Sequence, residues 1–214
     1  MPKKFEKEFI SYCENQNLEV NPNQIKVIKK LEDYHNSNYK SFFSKLFSKQ
    51  KTKKGFYLYG GVGVGKTMIL NFFYDHLEEK KLKKHFNEFM LDFHDFVHEQ
   101  KEKNEENVIN QFVKNLKSKA SLVYFDEFQV TNIVDAMILG KLFEQIFKED
   151  IKIILTSNTK ISELYKEGLQ REQFIPFIKI MEDQSIEYEL KIEDDYRKSN
   201  DNQKQRYFFP LNQE

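Results

Sequence analysis

The sequence predicts an α/β fold in which helices flank a central parallel sheet, and three observations support this prediction. Short apolar runs alternate along the chain with longer segments whose apolar residues recur every three or four positions, as in strands and helices. A glycine-rich stretch at 60–65 lies between one such strand and one such helix. The chain has 214 residues, enough to bury the core of one sizeable domain without disulfides or structural metals.

The composition excludes several classes of protein and site. Basic and acidic residues number 34 each, so no overall field steers the chain towards nucleic acid or an anionic membrane, and any such binding requires a local patch. Cys13 is the only cysteine, which excludes an intrachain disulfide and an all-cysteine metal site. No apolar run approaches the ~18 residues of a membrane helix, and residues 1–10 lack the apolar stretch of a signal peptide. We therefore expect a cytoplasmic protein that reaches membranes only through partners.

Residues 1–54 predict an N-terminal helical extension that packs on the core. Apolar residues have helical spacing across 24–34, directly after the helix-starting pair Asn21-Pro22. A second apolar group at 42–47 is expected to pack against the core. The basic stretch 49–54 lacks the interleaved aromatic residues of a nucleic-acid platform, so we interpret it as a solvated linker.

Residues 55–192 predict the core domain, and residues 193–214 a C-terminal tail. Strands are expected at 55–59, 85–89, 122–125, 151–156 and 186–192. Helices are expected at 66–80, 91–102, 108–119 and 132–147, with one more beginning near Ser162 and a short one from Pro176 to Met181. Strands separated by helices favour a parallel sheet with both faces covered.

The clearest motif is a phosphate-binding loop, which fits the pattern G-x-x-x-x-G-K-[ST]. Glycines let the backbone turn tightly enough for successive N–H groups to point inward at phosphates, and the following helix adds its positive N-terminal end. We expect Lys66 to reach the β- and γ-phosphates and the Thr67 hydroxyl to bind Mg²⁺. The motif consists of Gly60, Gly61, Val62, Gly63, Val64, Gly65, Lys66 and Thr67.

Two acids and an asparagine follow strands that would end beside this loop. Asp126 and Glu127 come directly after an apolar run, at the sheet edge where parallel sheets bind ligands. Asp126 is suited to hold Mg²⁺ through water, and Glu127 to orient and partly deprotonate an attacking water. Asn158 follows the next strand and could act as a sensor that hydrogen-bonds the water or the γ-phosphate. The alternatives are an ordinary acidic turn for Asp126 and Glu127, and a plain loop or helix cap for Asn158.

An arginine commonly stabilises charge on a transferring phosphoryl group, often from an adjacent subunit. No arginine precedes Arg171 in this chain, so Arg171 is the leading candidate for that role and Arg197 the second. Each could instead be a solvated or locally paired arginine.

A histidine pair suggests a metal site at first sight. His94 and His98 are four residues apart on a predicted helix, but the order H-E-x-x-H is not met. We interpret them as part of a polar helix face and expect no metal beyond Mg²⁺.

With these residues in place, the chain resembles the AFG-type AAA+ ATPases, the family that includes the bacterial ZapE proteins. The Phe-Asp-Glu-Phe-Gln-Val-Thr segment is specific, because few other phosphate-loop proteins continue in this way after the two acids. The resemblance runs from about Tyr12 to the C-terminus. The matching stretches are 60–67, 86–94, 125–143, 156–158 and 168–178, with 195–197 and 207–210 resembling later motifs.

The resemblance implies a P-loop AAA+ fold, ATP and Mg²⁺ as ligands, and an ATPase activity. It also implies roles for particular residues: ATP binding by 60–67, metal-linked and catalytic acids at Asp126 and Glu127, a sensor at Asn158 and an arginine finger at Arg171. Bacterial members associate with the tubulin-like division protein, and eukaryotic relatives are mitochondrial. From the lack of an Arg-rich leader we expect the bacterial, cytoplasmic version, forming a homo-oligomer on ATP binding and acting on a protein partner.

The chain departs from the family in two places. Asn132 replaces the usual aspartate at a predicted helix start, which should leave the chemistry unchanged. Family members continue well beyond the segment 207–210, so we expect a truncated chain in which the nucleotide lid is missing. Two alternatives therefore stay open: a DNA-associated ATPase of the initiator or helicase-loader kind, and a nucleotide-binding module that does not hydrolyse ATP.

Overall fold

The computed structural model describes residues 4–39, 52–100 and 104–192. Within these ranges the helices are α1 (Lys4–Asn15), α2 (Pro22–Tyr39), α3 (Lys66–Asp75), α4 (Phe86–Glu99), α5 (Glu105–Lys119), α6 (Ile133–Lys148) and α7 (Arg171–Gln184). The strands are β1 (Gly55–Tyr59), β2 (Lys81–His85), β3 (Leu122–Asp126), β4 (Lys152–Ser157) and β5 (Ser185–Glu189). A single turn of 3₁₀-helix covers Ile161–Glu163.

The five strands form one sheet in the order β2-β3-β4-β1-β5, and every neighbouring pair is parallel. The predicted α/β class with a central parallel sheet is therefore confirmed. Because all strands run the same way, β1, β3 and β4 end at the same edge of the sheet. Tyr59, the last residue of β1, lies opposite Ser157, the last residue of β4. The chain leaving each of these strands is thus brought to one place.

Successive side chains of a strand point to opposite faces of the sheet, and here both faces are buried. Phe56, Leu58 and Tyr124 pack on the side that carries α1, α2 and α3. Tyr57 and Phe125 pack on the other side, with α4, α5, α6 and α7. This two-sided burial explains why the central strands are almost continuously apolar, as parallel strands are.

The N-terminal helices pack on the sheet and on α3. On α2, Val27, Ile28 and Leu31 are fully buried, as the spacing of its apolar residues predicts. The sequence pattern does not single out helix α1, because Phe5, Phe9 and Cys13 are its only buried residues in an otherwise largely polar segment. Their spacing of four residues places them on one helix face, where Phe9 meets Phe72 edge to face.

The strand predicted at 85–89 is wrong. Strand β2 comes earlier, at Lys81–His85, and it is charged because it lies at the edge of the sheet, where most of its side chains contact solvent. Residues 86–99 form α4 instead. Four residues with helical spacing make its buried face: Phe86, Phe89, Met90 and Phe93.

Two further helix predictions need correction. The helix predicted near Ser162 is only the 3₁₀ turn at Ile161–Glu163. The helix predicted to start at Pro176 begins five residues earlier, at Arg171, so the proline lies inside α7. Packing favours this longer helix, because its buried face includes Phe174, which precedes the proline, together with Phe177, Ile178 and Met181.

Several predictions fall on residues outside the described ranges. These are the apolar group at 42–47, part of the linker at 49–54, the tail at 193–214 and the second arginine candidate, Arg197. Within the described ranges, none of the helices combines the length and the apolar character that a membrane span requires.

Candidate nucleotide-binding site

The glycine-rich loop leaves β1 and enters α3 at the edge where the central strands end. Gly60 passes so close to the chain after β5 that a Cβ on it would lie 2.3 Å from the Leu190 carbonyl oxygen. Gly63 and Gly65 have φ values of 85° and 90°, which residues with a side chain rarely adopt. The loop shape therefore depends on these glycines, and Gly65 directly precedes the first residue of α3.

Lys66 is the first residue of α3 and is only 8% exposed. Its ammonium group donates hydrogen bonds to the carbonyl oxygens of Gly60 and Gly61, at 2.8 and 2.6 Å. It also donates to Asn158 Oδ1, at 3.0 Å, so the predicted sensor and the loop lysine are in direct contact. Burial lowers the pKa of Lys66, and the nearby Asp126 carboxylate offsets part of that effect.

Asp126 ends β3 with its side chain directed at the start of α3. The hydroxyl groups of Thr67, Tyr124 and Thr156 all donate to Asp126 Oδ1, at 3.0, 3.2 and 2.7 Å. Burial, followed by the charge of Asp126, raises the pKa of Tyr124, so this hydroxyl stays protonated and remains a donor. The two predicted Mg²⁺ residues, Thr67 and Asp126, are thus adjacent.

Glu127 lies in a tight turn that β4 holds in place. Its φ of 56° is in the left-handed region, which is unfavourable for a glutamate. Its N–H donates to Thr156 Oγ1 at 2.9 Å, and the next N–H, of Phe128, donates to the Thr156 carbonyl at 2.7 Å. The Phe128 ring is buried and stacks on Phe177 at 5.8 Å. This anchoring leaves the Glu127 side chain exposed at the rim of the loop.

A cavity of about 600 Å³ opens over the loop. Its lining includes most of the predicted site residues and the segment that follows Asn158. Lys66, Thr67, Glu127, Asn158, Glu163 and Tyr165 contribute polar groups to it.

The residues at this cavity fit a magnesium–nucleotide complex. Loop glycines with positive φ leave a cradle with little side-chain bulk, as phosphate binding requires. Thr67 and Asp126 supply a hydroxyl and a carboxylate 3.0 Å apart, and oxygen ligands of this kind suit Mg²⁺. The buried ammonium of Lys66 provides a positive charge at the same place.

Arg171 lies away from the cavity of its own chain. It is the first residue of α7, and its Nη2 donates to the carbonyl oxygen of Ser162 at 2.9 Å. It is not among the residues that line the cavity. An action on phosphate in the same subunit is therefore not supported, and the expected role as an arginine finger stays a prediction that requires a neighbouring subunit.

Three residues of the site were missed by sequence reasoning. Thr156 and Tyr124 reach Asp126 because of the strand register, which one sequence does not reveal. Gln24 of α2 donates from its side-chain amide to the Val64 carbonyl of the loop at 3.1 Å. The only signal for Gln24 in the sequence is that a polar residue stands at a position where helical spacing predicts a buried side chain.

Comparisons with known proteins identify the family and the fold of the chain. The profile of the AFG1-like ATPase family matches residues 12–214. Lactation elevated protein 1 homolog B of Danio rerio is 40% identical over 161 residues, which cover 71% of this chain and 32% of that protein. Cell division protein ZapE of Escherichia coli K12 is 34% identical over 168 residues, 78% of this chain and 44% of that protein. The chain thus spans less than half of the length of these relatives.

Solved structures share the fold at low identity. Domain III of the replication initiation protein DnaA from Thermotoga maritima has a TM-score of 0.57 and 19% identity, covering 86% of this chain and 69% of that one. DnaI has a TM-score of 0.53 and 18% identity, with coverage of 82% and 89%. These likenesses identify the P-loop AAA+ fold and nothing more specific. The family profile and the relatives show that the chain belongs to the AFG1-like ATPase family.

Proposed function

We propose that this chain binds ATP with Mg²⁺ and hydrolyses it. The observation that carries the proposal is a pair of hydrogen bonds across the sheet edge. Lys66 donates to Asn158, and Thr67 donates to Asp126. Lys66, Thr67 and Asn158 line one cavity, and the buried Asp126 carboxylate accepts a hydrogen bond from Thr67 at its edge. All four side chains are of the type that triphosphate chemistry uses.

In this proposal each residue has one task. The loop amides and Lys66 hold the phosphates, and Asn158 orients the γ-phosphate or the attacking water. Thr67 and Asp126 hold Mg²⁺, which neutralises charge on the phosphate oxygens when it is bound. Glu127 accepts a hydrogen bond from the attacking water and takes its proton as the new P–O bond forms and the bond to ADP breaks.

Assembly and partner belong to the proposal as well. We propose that ATP binding brings copies of the chain together, so that Arg171 of one subunit reaches the site of the next, and that hydrolysis acts on a protein partner. A role in bacterial division through the tubulin-like division protein is supported by the 34% identity to ZapE alone. The 40% identity to a vertebrate relative does not favour that particular partner.

Phosphate release by the wild type and by Glu127→Gln tests the hydrolysis. The substitution keeps the size of the side chain and removes its ability to accept a proton. We expect the variant to bind ATP with unchanged affinity. Its rate of phosphate release should be at least about 100-fold lower than that of the wild type. Equal background rates for both proteins would contradict hydrolysis and leave a nucleotide-binding module.

A further inference from the structure

A buried glutamine in the N-terminal extension contacts the phosphate loop. Gln24 lies in the first turns of α2 and is 5% exposed. Its Nε2 donates to the Val64 carbonyl at 3.1 Å, forty residues along the chain. The same amide fits against Gly65, since a Cβ added there would lie 2.7 Å from Nε2. The contact is therefore close-packed as well as hydrogen-bonded.

The position of Gln24 is fixed independently of the loop. Asn23, the preceding residue, donates from its side-chain amide to the Lys191 carbonyl at 2.9 Å. That segment is tied to β1, because the Leu190 N–H donates to the Tyr59 carbonyl at 2.8 Å. The first turn of α2 is thus attached to the chain that passes under Gly60, and Gln24 extends from it to the other end of the loop.

The hydrogen bond determines which way one loop amide points. A trans peptide is planar, so its C=O and N–H point in opposite directions. With the Val64 carbonyl turned towards α2, the Gly65 N–H is turned away from α2. Gly65 lines the cavity, and its glycine backbone would otherwise rotate easily.

We propose that Gln24 is a positioning residue of the phosphate loop, which orients the Gly65 N–H towards bound phosphate through the Val64 carbonyl. This inference rests on the proposed function, since it assumes that the loop binds a triphosphate. The N-terminal extension then contributes to the site, because α2 raises the affinity for phosphate through the loop without contacting the nucleotide.

The test compares two substitutions of buried amides on the same helix. Gln24→Met keeps the side-chain length and removes the donor. Asn38→Leu is the matched control, because Asn38 is also buried and donates to the Tyr34 and Lys53 carbonyls, away from the loop. Gln24→Asn serves as a second variant, in which the amide is too short to reach Val64. Thermal unfolding without nucleotide establishes that each protein folds.

Affinity is measured by calorimetry for ATP and for inorganic triphosphate, each with Mg²⁺. We expect both Gln24 variants to weaken the two ligands by the same factor, about tenfold, and Asn38→Leu to leave both affinities unchanged. A loss for ATP but not for triphosphate would overturn the inference, because Gln24 would then act on the nucleoside. An equal loss in Asn38→Leu, or no loss in the Gln24 variants, would overturn it too. A wild type that binds neither ligand would refute the proposed function itself.

Discussion

The hydroxyl of Thr156 links the two acids of the site. It donates to Asp126 Oδ1 at 2.7 Å and accepts from the Glu127 N–H at 2.9 Å. Because Glu127 has a φ of 56°, the turn needs such support to persist. Thr156 is 2% exposed and does not depend on solvent for its partners. One side chain on β4 thereby contacts the Asp126 carboxylate and the backbone of Glu127.

Replacing Thr156 by valine should therefore impair hydrolysis more than binding. The substitution keeps the shape of the side chain and removes the hydroxyl. We expect ATP hydrolysis to fall about 10- to 100-fold, with a much smaller change in ATP affinity, because the loop and Lys66 remain in place. Steady-state phosphate release and ATP titration measure the two effects. Thr156→Ser should restore most of the rate, and a valine variant as active as the wild type would contradict the link.

Sequence reasoning found some of these residues and missed others for a physical reason. Lys66 and Asp126 lie in local motifs whose chemistry is visible in a single segment. Thr156 contacts Asp126 only because β3 and β4 are neighbours in a particular register. Sheet register is a long-range property, and an isolated sequence does not contain it in readable form.

At the level of elements, burial decided which predictions succeeded. The strands at 122–125 and 151–156 were found because both faces of a central strand are apolar. The edge strand β2 contacts solvent, so it can consist largely of lysines and has no apolar pattern that predicts a strand. The aromatic residues that follow it resemble a strand but begin α4. The start of α6 was anticipated: Asn132 caps it by accepting from the Val134 N–H at 2.8 Å.

The turn from β1 into the loop depends on a close approach of two backbone segments. A Cβ at Gly60 would lie 2.3 Å from the Leu190 carbonyl, whereas one at Gly61 would lie 3.8 Å from a Val64 methyl group, an ordinary contact. Gly60→Ala should therefore lower the free energy of unfolding by about 2 kcal/mol or more.

Gly61→Ala is the matched control and should change stability by less than about 1 kcal/mol. Urea unfolding of both variants measures the difference. Equal stability of the two variants would show that the chain after β5 does not pack under the loop in this way.

For the whole molecule, the strand order and the position of Arg171 are the informative features. The order β2-β3-β4-β1-β5 places the loop between the ends of β4 and β5. No local sequence pattern predicts that order. Arg171 contacts Ser162 of its own chain and lies outside the cavity lining. Under the proposed arginine-finger role of Arg171, a complete catalytic site requires a second copy, as heterologous interfaces of ring-forming proteins provide.

Mixing two inactive variants tests this requirement. Arg171→Ala should keep its ATP affinity and lose turnover, and Lys66→Ala should lose binding. Mixed in equal amounts, they should recover up to about a quarter of the wild-type rate, since some interfaces pair an intact loop with an intact arginine. Lys66→Ala mixed with Glu127→Gln should recover nothing, because those residues act in one subunit. Absence of recovery in the first mixture, or full activity of Arg171→Ala alone, would contradict the assignment.

The central claim is that the loop between β1 and α3 binds a magnesium triphosphate through Lys66. Calorimetric titration of the wild type and of Lys66→Ala with ATP and Mg²⁺ tests it most directly, with thermal unfolding as the check that both are folded. We predict saturable binding of about one ATP per chain for the wild type. For Lys66→Ala we predict an affinity at least about 100-fold weaker, because a buried cation in contact with phosphate is lost. Equal affinity of the two proteins, or no binding by the folded wild type, would contradict the account.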